Sequence, residues 1–189
     1  MAYVVKNYEH LIGMEGLTET LLRNHFKLYE GYVNNTNKIL EELSKIDPAS
    51  PEYSELRRRF GWEFNGMRLH ELFFGNISKT PKAIAPNSKL DLLIKNQFGS
   101  FTDFEKEIKS ILSMRGIGWV ILTYDASVKR LFCIWVNEHD LGHLVGTIPL
   151  LVLDVFEHAY MLDYGLKKAD YVNTIFKSVD WSVVDARLK

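Results

Sequence analysis

The sequence predicts an α+β fold: an N-terminal antiparallel helical hairpin followed by an αβ domain with a small three-stranded antiparallel sheet. Three observations carry this. Apolar residues recur three and four apart over two long stretches between residues 18 and 74. Three short β-rich runs, GWVILTY, RLFCIWV and IPLLVLD, cluster between residues 118 and 154. Helical spacing returns after the last of them.

The first helical stretch, 18–43, carries its stripe through Leu21, Leu22, His25, Phe26, Leu28, Tyr29, Tyr32, Val33, Ile39, Leu40 and Leu43, with Thr18 as N-cap. KIDPASPE, 45–52, contains two prolines and reads as a loop. The second helix runs from about 54 to 74 and presents Leu56, Phe60, Phe64, Met67, His70 and Phe74 on one side, which closes the hairpin. Residues 75–99 are the least periodic, apart from a short helical DLLIKNQFG, and a domain junction is expected there. The expected units are an N-terminal α-hairpin domain, 1–80, and a C-terminal αβ domain, 81–189. Thr102 and Glu105 have capping-box spacing and open a helix whose apolar face is Phe104, Ile108, Ile111 and Leu112. The runs at 118–124 and 130–136 form a hairpin about a turn at 125–127, and 148–154 adds a third strand.

Composition narrows the function classes. The 23 Lys and Arg against 24 Asp and Glu give a net charge of −1, without the basic excess of a dedicated nucleic-acid binder. One cysteine, Cys133, excludes a disulfide framework and a multi-cysteine metal cluster, and its mid-strand place reads as a buried, inert thiol. The opening MAYVVKNYEHLIGMEG lacks a basic segment leading into a long apolar run. The longest apolar stretch, 148–153, is too short to span a bilayer. A cytoplasmic protein with neither nucleic acid nor membrane as partner is therefore expected. No phosphate-cradling glycine loop and no nucleophile elbow is present.

The chemistry lies with the histidines: His10, His25, His70, His139, His143 and His158. Three of them sit on apolar stripes, where a polar group is costly without a partner. In Asp154-Val-Phe-Glu157-His158-Ala-Tyr160 a carboxylate ends a buried strand and an imidazole follows four residues later, so the two can converge. Asp154 as a simple cap of the helix beginning near Phe156 is an equal reading. His25 and Tyr32, seven apart, stand nearly in register on a regular helix, and His70 lies on the apolar side of the facing one. Three imidazoles and one carboxylate leave a coordination position open, an arrangement suited to iron or manganese and also to zinc. His139 and His143 have the spacing of a two-ligand helical face, but Gly142 and Gly146 argue for a loop.

From about residue 16 to 181 the chain resembles the iron/manganese superoxide dismutases. The residues that carry the resemblance are HFKLYEGYVNNTN (25–37), the His70 helix, GSFTDFEKE (99–107), RGIGWVIL (115–122) and above all GTIPLLVLDVFEHAYMLDY (146–164). The resemblance implies one iron or manganese per subunit, held by His25, His70, Asp154 and His158 with solvent in the fifth position. It implies disproportionation of superoxide, a small anion that a net positive site attracts, to dioxygen and hydrogen peroxide. Tyr32 matches the tyrosine at the substrate gate, and Trp119 and Phe156 match walls of the pocket. Glu157 matches a residue that crosses a subunit interface, which implies a homodimer or tetramer.

Several positions depart from the family pattern. The family places its first histidine eight residues before the gate tyrosine, a spacing that needs an extra residue looped into the helix. Here that position is Asn24 and the histidine is one later, which fits a helix without the bulge. Of the two positions that supply the solvent-binding glutamine, one is Gly66 and the other is His139, an imidazole able to donate or accept. Tyr32 and His139 are therefore the expected catalytic pair. A tryptophan is replaced by Phe156, and an arginine near the substrate funnel by Lys168, which lacks the planar fork. An interface histidine is missing around Leu28 and Tyr29, depriving Tyr160 of its usual contact. These changes keep a non-catalytic metal-binding protein as the alternative function.

Overall fold

The computed structural model describes residues 2–188. Helix α1 (Glu19–Leu43) begins at Thr18, whose hydroxyl accepts the Leu21 amide at 3.2 Å. It is α-helical along its whole length, so His25 and Tyr32 share a face without a π-bulge. Helix α2 (Pro51–Asn76) starts three residues earlier than the sequence suggested, because Ser50 caps it and Pro51 suits its first turn. The two helices run antiparallel. His25 faces His70 with ring centroids 5.0 Å apart, and Asn35 reaches Glu63 at 3.3 Å.

Two shorter helices follow, α3 (Lys89–Phe98) and α4 (Phe101–Leu112). The expected Thr102–Glu105 capping box is corrected. Gly99, at φ +86°, ends α3, and α4 starts at once behind Ser100. The Ser100 hydroxyl accepts the Asp103 amide at 3.1 Å and donates to the Asp103 carboxylate at 2.6 Å. Thr102 is already inside the first turn, and Glu105 pairs with Lys109 instead. Phe104, Ile108 and Leu112 are buried as the stripe required.

The sheet has the order β2-β1-β3 with both pairings antiparallel: β1 (Gly118–Asp125), β2 (Arg130–Asn137) and β3 (Ile148–Asp154). Its central strand is buried almost end to end, which explains its unbroken apolar run. The register sets Trp119 beside Asp154 at one end of the sheet. Beyond β3 the helical spacing resolves into pieces. A single 3-10 turn (Glu157–Ala159) leads to α5 (Met161–Tyr164), α6 (Lys168–Lys177) and α7 (Trp181–Ala186). Gly165, at φ +52°, ends α5, and Asp180 caps α7.

One core joins hairpin and sheet, from Leu21, Tyr29 and Phe74 to Leu122, Leu151 and Leu153. Arg187 ties the end of α2 to β3. Its half-buried guanidinium donates to the Asn76 side chain, to the Leu150 carbonyl at 2.6 Å and to the Leu72 carbonyl at 3.2 Å. Asn76 in turn donates to the Val152 carbonyl at 2.5 Å. Among the described residues no helix is long and apolar enough to cross a membrane.

Candidate metal centre

Four side chains from four separate elements meet where the hairpin touches the sheet. His25 comes from α1, His70 from α2, Asp154 from the end of β3 and His158 from the 3-10 turn. One ligand atom from each lies within 4.8 Å of all the others. The Nε2 atoms of His25, His158 and His70 stand 3.1, 3.2 and 3.8 Å from the same oxygen, Asp154 Oδ2. His25, His70 and Asp154 are buried, and the His158 side chain retains 24% exposure.

Hydrogen bonds outside the cluster orient these groups. His70 Nδ1 lies 2.6 Å from the Gly66 carbonyl, which only accepts, so Nδ1 carries the proton and Nε2 turns a lone pair inward. That Nε2 is buried without a hydrogen-bond partner. A buried imidazole nitrogen facing two more imidazoles and a carboxylate, with no donor to meet it, fits a cation at the focus. The other Asp154 oxygen accepts the Phe156 amide at 2.8 Å, a two-residue turn contact rather than the expected helix cap, since the 3-10 turn begins at Phe156 without a side-chain cap. Tyr171, which the sequence did not single out, donates to the Asp154 backbone carbonyl at 2.8 Å.

The electrostatics favour ligand-ready groups. Burial pushes both His25 and His70 below the ordinary histidine value, keeping them neutral. Burial alone would raise the Asp154 carboxyl, but His158 and His25 beside it hold it well below the usual carboxylate range. Three imidazole nitrogens, two of them on rings that burial keeps neutral, and one carboxylate oxygen suit an intermediate divalent or trivalent ion.

Around this cage stands a hydrogen-bonded row. Trp119 Nε1 donates to His139 Nδ1 at 3.0 Å, and His139 Nε2 lies 2.7 Å from the Tyr32 hydroxyl. Indole is a donor only, so Nδ1 must accept and the His139 proton sits on Nε2, directed at the Tyr32 oxygen. His139 is fully buried, and burial lowers it to about 4. Tyr32 is pushed up to about 12, by burial first and then by Glu63. Its ring stacks on His70, centroids 5.2 Å apart. Phe156 stacks on His158 at 5.2 Å, and Trp119 meets His70 edge-on at 5.0 Å, so both stand as walls.

Other positions lie apart. His143 is in the loop after β2, exposed, with Nε2 2.9 Å from the His139 carbonyl, and does not join the cluster. His10 is exposed near the N-terminus. Lys168 turns its amine onto the Met114 carbonyl at 2.7 Å and lies 5.5 Å from the centre of the Trp135 ring. Tyr160 stacks on Tyr171. Trp62 was missed: its ring stands 4.8 Å from that of His139, backed by the Arg59 guanidinium. The signal was present, since Trp62, Gly66 and His70 recur every four residues on one helix face.

Residues 86–187 match the family model described as iron/manganese superoxide dismutases, C-terminal domain. The chain is 34% identical over 185 residues to a protein named superoxide dismutase [Fe] of Aquifex pyrophilus, covering 93% of this chain and 86% of that one. It is likewise 34% identical over 175 residues to a superoxide dismutase [Fe] of Pyrobaculum aerophilum, covering 90% and 83%. A superoxide dismutase [Mn] 2 of Haloferax volcanii is 34% identical over 171 residues, covering 89% and 85%. With these matches added to the helical hairpin, the three-stranded sheet and the cluster where they meet, the chain belongs to the iron/manganese superoxide dismutase family.

Proposed function

We propose that the protein is a superoxide dismutase that holds one iron or manganese per chain on His25, His70, Asp154 and His158, with Tyr32 and His139 serving the substrate side. The observation that carries this reading is the buried, unpartnered Nε2 of His70, facing two further imidazoles and one carboxylate. When bound, iron or manganese supplies the one-electron oxidation and reduction that turn two superoxide anions and two protons into dioxygen and hydrogen peroxide.

The chain's own residues set the conditions. The ligand set contributes a single negative charge, so the loaded site is net positive and draws an anion. Trp119 and Phe156 exclude water from its flanks. Tyr32 keeps its proton through the neutral range because its hydroxyl is pushed up to about 12. Its oxygen already receives the His139 proton, so the Tyr32 hydrogen is free to be offered to a small anion.

The same reading extends to a homodimer. Glu157 is exposed beside the partly exposed His158. It lines one cleft with Met114, Ile117, Met161 and Leu166, which are 47, 39, 40 and 91% exposed. Such a patch is suited to burial against a second copy. Sedimentation equilibrium is expected to give the mass of two chains. A monomer would overturn this part alone.

The direct test is to strip the metal and reload separately with iron and with manganese, measuring metal content and dismutation on each form. About one metal per chain with activity in at least one form is the expected result. One metal per chain without turnover in either form would make this a non-catalytic metal-binding protein. No stoichiometric metal would overturn both readings.

A further inference from the structure

We infer that Gly66 is a positioning residue: the side chain it lacks is the space in which the Tyr32 ring is seated. Gly66 lies inside α2 and is buried, where alanine would favour the helix more. Two other helical glycines, Gly31 and Gly61, have open space where a Cβ would stand, with nothing within 4 Å. At Gly66 the same Cβ would lie 2.5 Å from Tyr32 Cδ1, 2.7 Å from Cε1 and 2.9 Å from Cγ.

The ring has no inexpensive retreat. Cγ is the root of the ring, so flipping the ring about its own axis leaves it in place, and relief needs rotation at χ1 or a backbone shift. Both would pull the ring off His70, on which it stacks at 5.2 Å and 29°, and draw its hydroxyl away from His139 at 2.7 Å. The Gly66 carbonyl meanwhile accepts the His70 Nδ1 proton at 2.6 Å. One residue thus sets both the seat of Tyr32 and the tautomer of His70. It also means that no side chain from α2 at this position can stand between Tyr32 and the cluster. Polar support on that side rests on the Tyr32–His139 pair.

The stability part of this inference stands by itself, and only its kinetic part rests on the dismutase reading. The test compares the loaded protein with four variants: Gly61→Ala, Gly66→Ala, Tyr32→Ala and the Gly66→Ala/Tyr32→Ala double. Gly61→Ala is expected to raise Tm by about 2–4 °C through helix propensity. Gly66→Ala is expected to lower Tm by about 4–8 °C through overpacking and to lower kcat about tenfold at equal metal content. In the Tyr32→Ala background the sign reverses: adding Gly66→Ala raises Tm and leaves kcat where Tyr32→Ala put it. If Gly66→Ala alone fails to fold, recovery of folded protein in the double variant makes the same point. The inference is overturned if Gly66→Ala raises Tm in the parent, or lowers Tm equally with and without the tyrosine. A parent with no turnover would sink the dismutase reading while leaving the Tm comparison decisive.

Discussion

The two halves of the metal centre hold their ligands by different means. On the helical side, His25 and His70 project from two helices of 25 and 26 residues, wedged among Phe73, Phe74 and each other. On the sheet side, Asp154 and His158 sit at a strand end and on a single 3-10 turn, where no long element can brace them. Explicit hydrogen bonds brace Asp154 instead, Tyr171 to its carbonyl and the Phe156 amide to its carboxylate, while His158 is stacked on Phe156. Long helices with a buried face fix a side chain by packing, because moving it means moving the helix. A turn lacks that leverage and depends on individual polar contacts.

Four experiments break or sharpen the contrast. The largest effect belongs to Asp154→Ala, which removes the one anion on which all three imidazoles converge. Metal content by elemental analysis is expected to fall below about a tenth of the parent's and activity at least about a hundredfold, since a ligand matters more than the outer partners whose loss costs 10–100-fold. Full metal retention would show that the helical half suffices alone. Next comes Arg187→Ala, which removes a guanidinium bridge between α2 and β3 and takes a donor from the carbonyls of Leu72 and the buried Leu150. A loss of about 3 kcal/mol in urea unfolding is expected; a loss below about 1 kcal/mol would mean that apolar packing and the Asn76–Val152 hydrogen bond suffice to join the halves.

Tyr171→Phe tests the sheet side by itself. It keeps the ring and removes one hydroxyl, so about 1–2 kcal/mol of stability should go, with metal affinity falling in step. Unchanged affinity would place the bracing of Asp154 elsewhere. The smallest effect is acid on the metal-free protein. His25 and His70 are pushed below their ordinary value of 6.5, so near pH 6.5 the unfolded chain binds more protons than the folded one. Stability must then fall as pH drops, by about 2–4 °C in Tm between pH 7 and 6. A flat profile would mean that packing does not keep these imidazoles neutral.

The same contrast explains what was legible in the sequence. The 3.6-residue stripe marks α1, and the β-rich runs mark the strands, because α1, β1 and β3 bury continuous apolar faces and β2, half-buried over most of its length, pairs with β1. Asp154 and His158 were visible because the strand end and the histidine four residues on are adjacent in the chain. His25 and His70 were expected to face each other only if the hairpin closed, as it does. Tyr171 carried no local signal, since its partner lies 17 residues away and the link is a backbone carbonyl. Ser100 displaced Thr102 as the cap because the positive φ of Gly99 decides where the chain can turn, and a capping pattern does not encode φ.

The donor-only indole of Trp119 has a consequence for proton traffic. With His139 Nδ1 occupied by that indole and the buried ring resisting a second proton down to about 4, the row Trp119–His139–Tyr32 is closed at its inner end. On the reading proposed above, a proton given up by Tyr32 is not replaced along this row from behind, so its supply comes from the Tyr32 side rather than through a private wire in the protein.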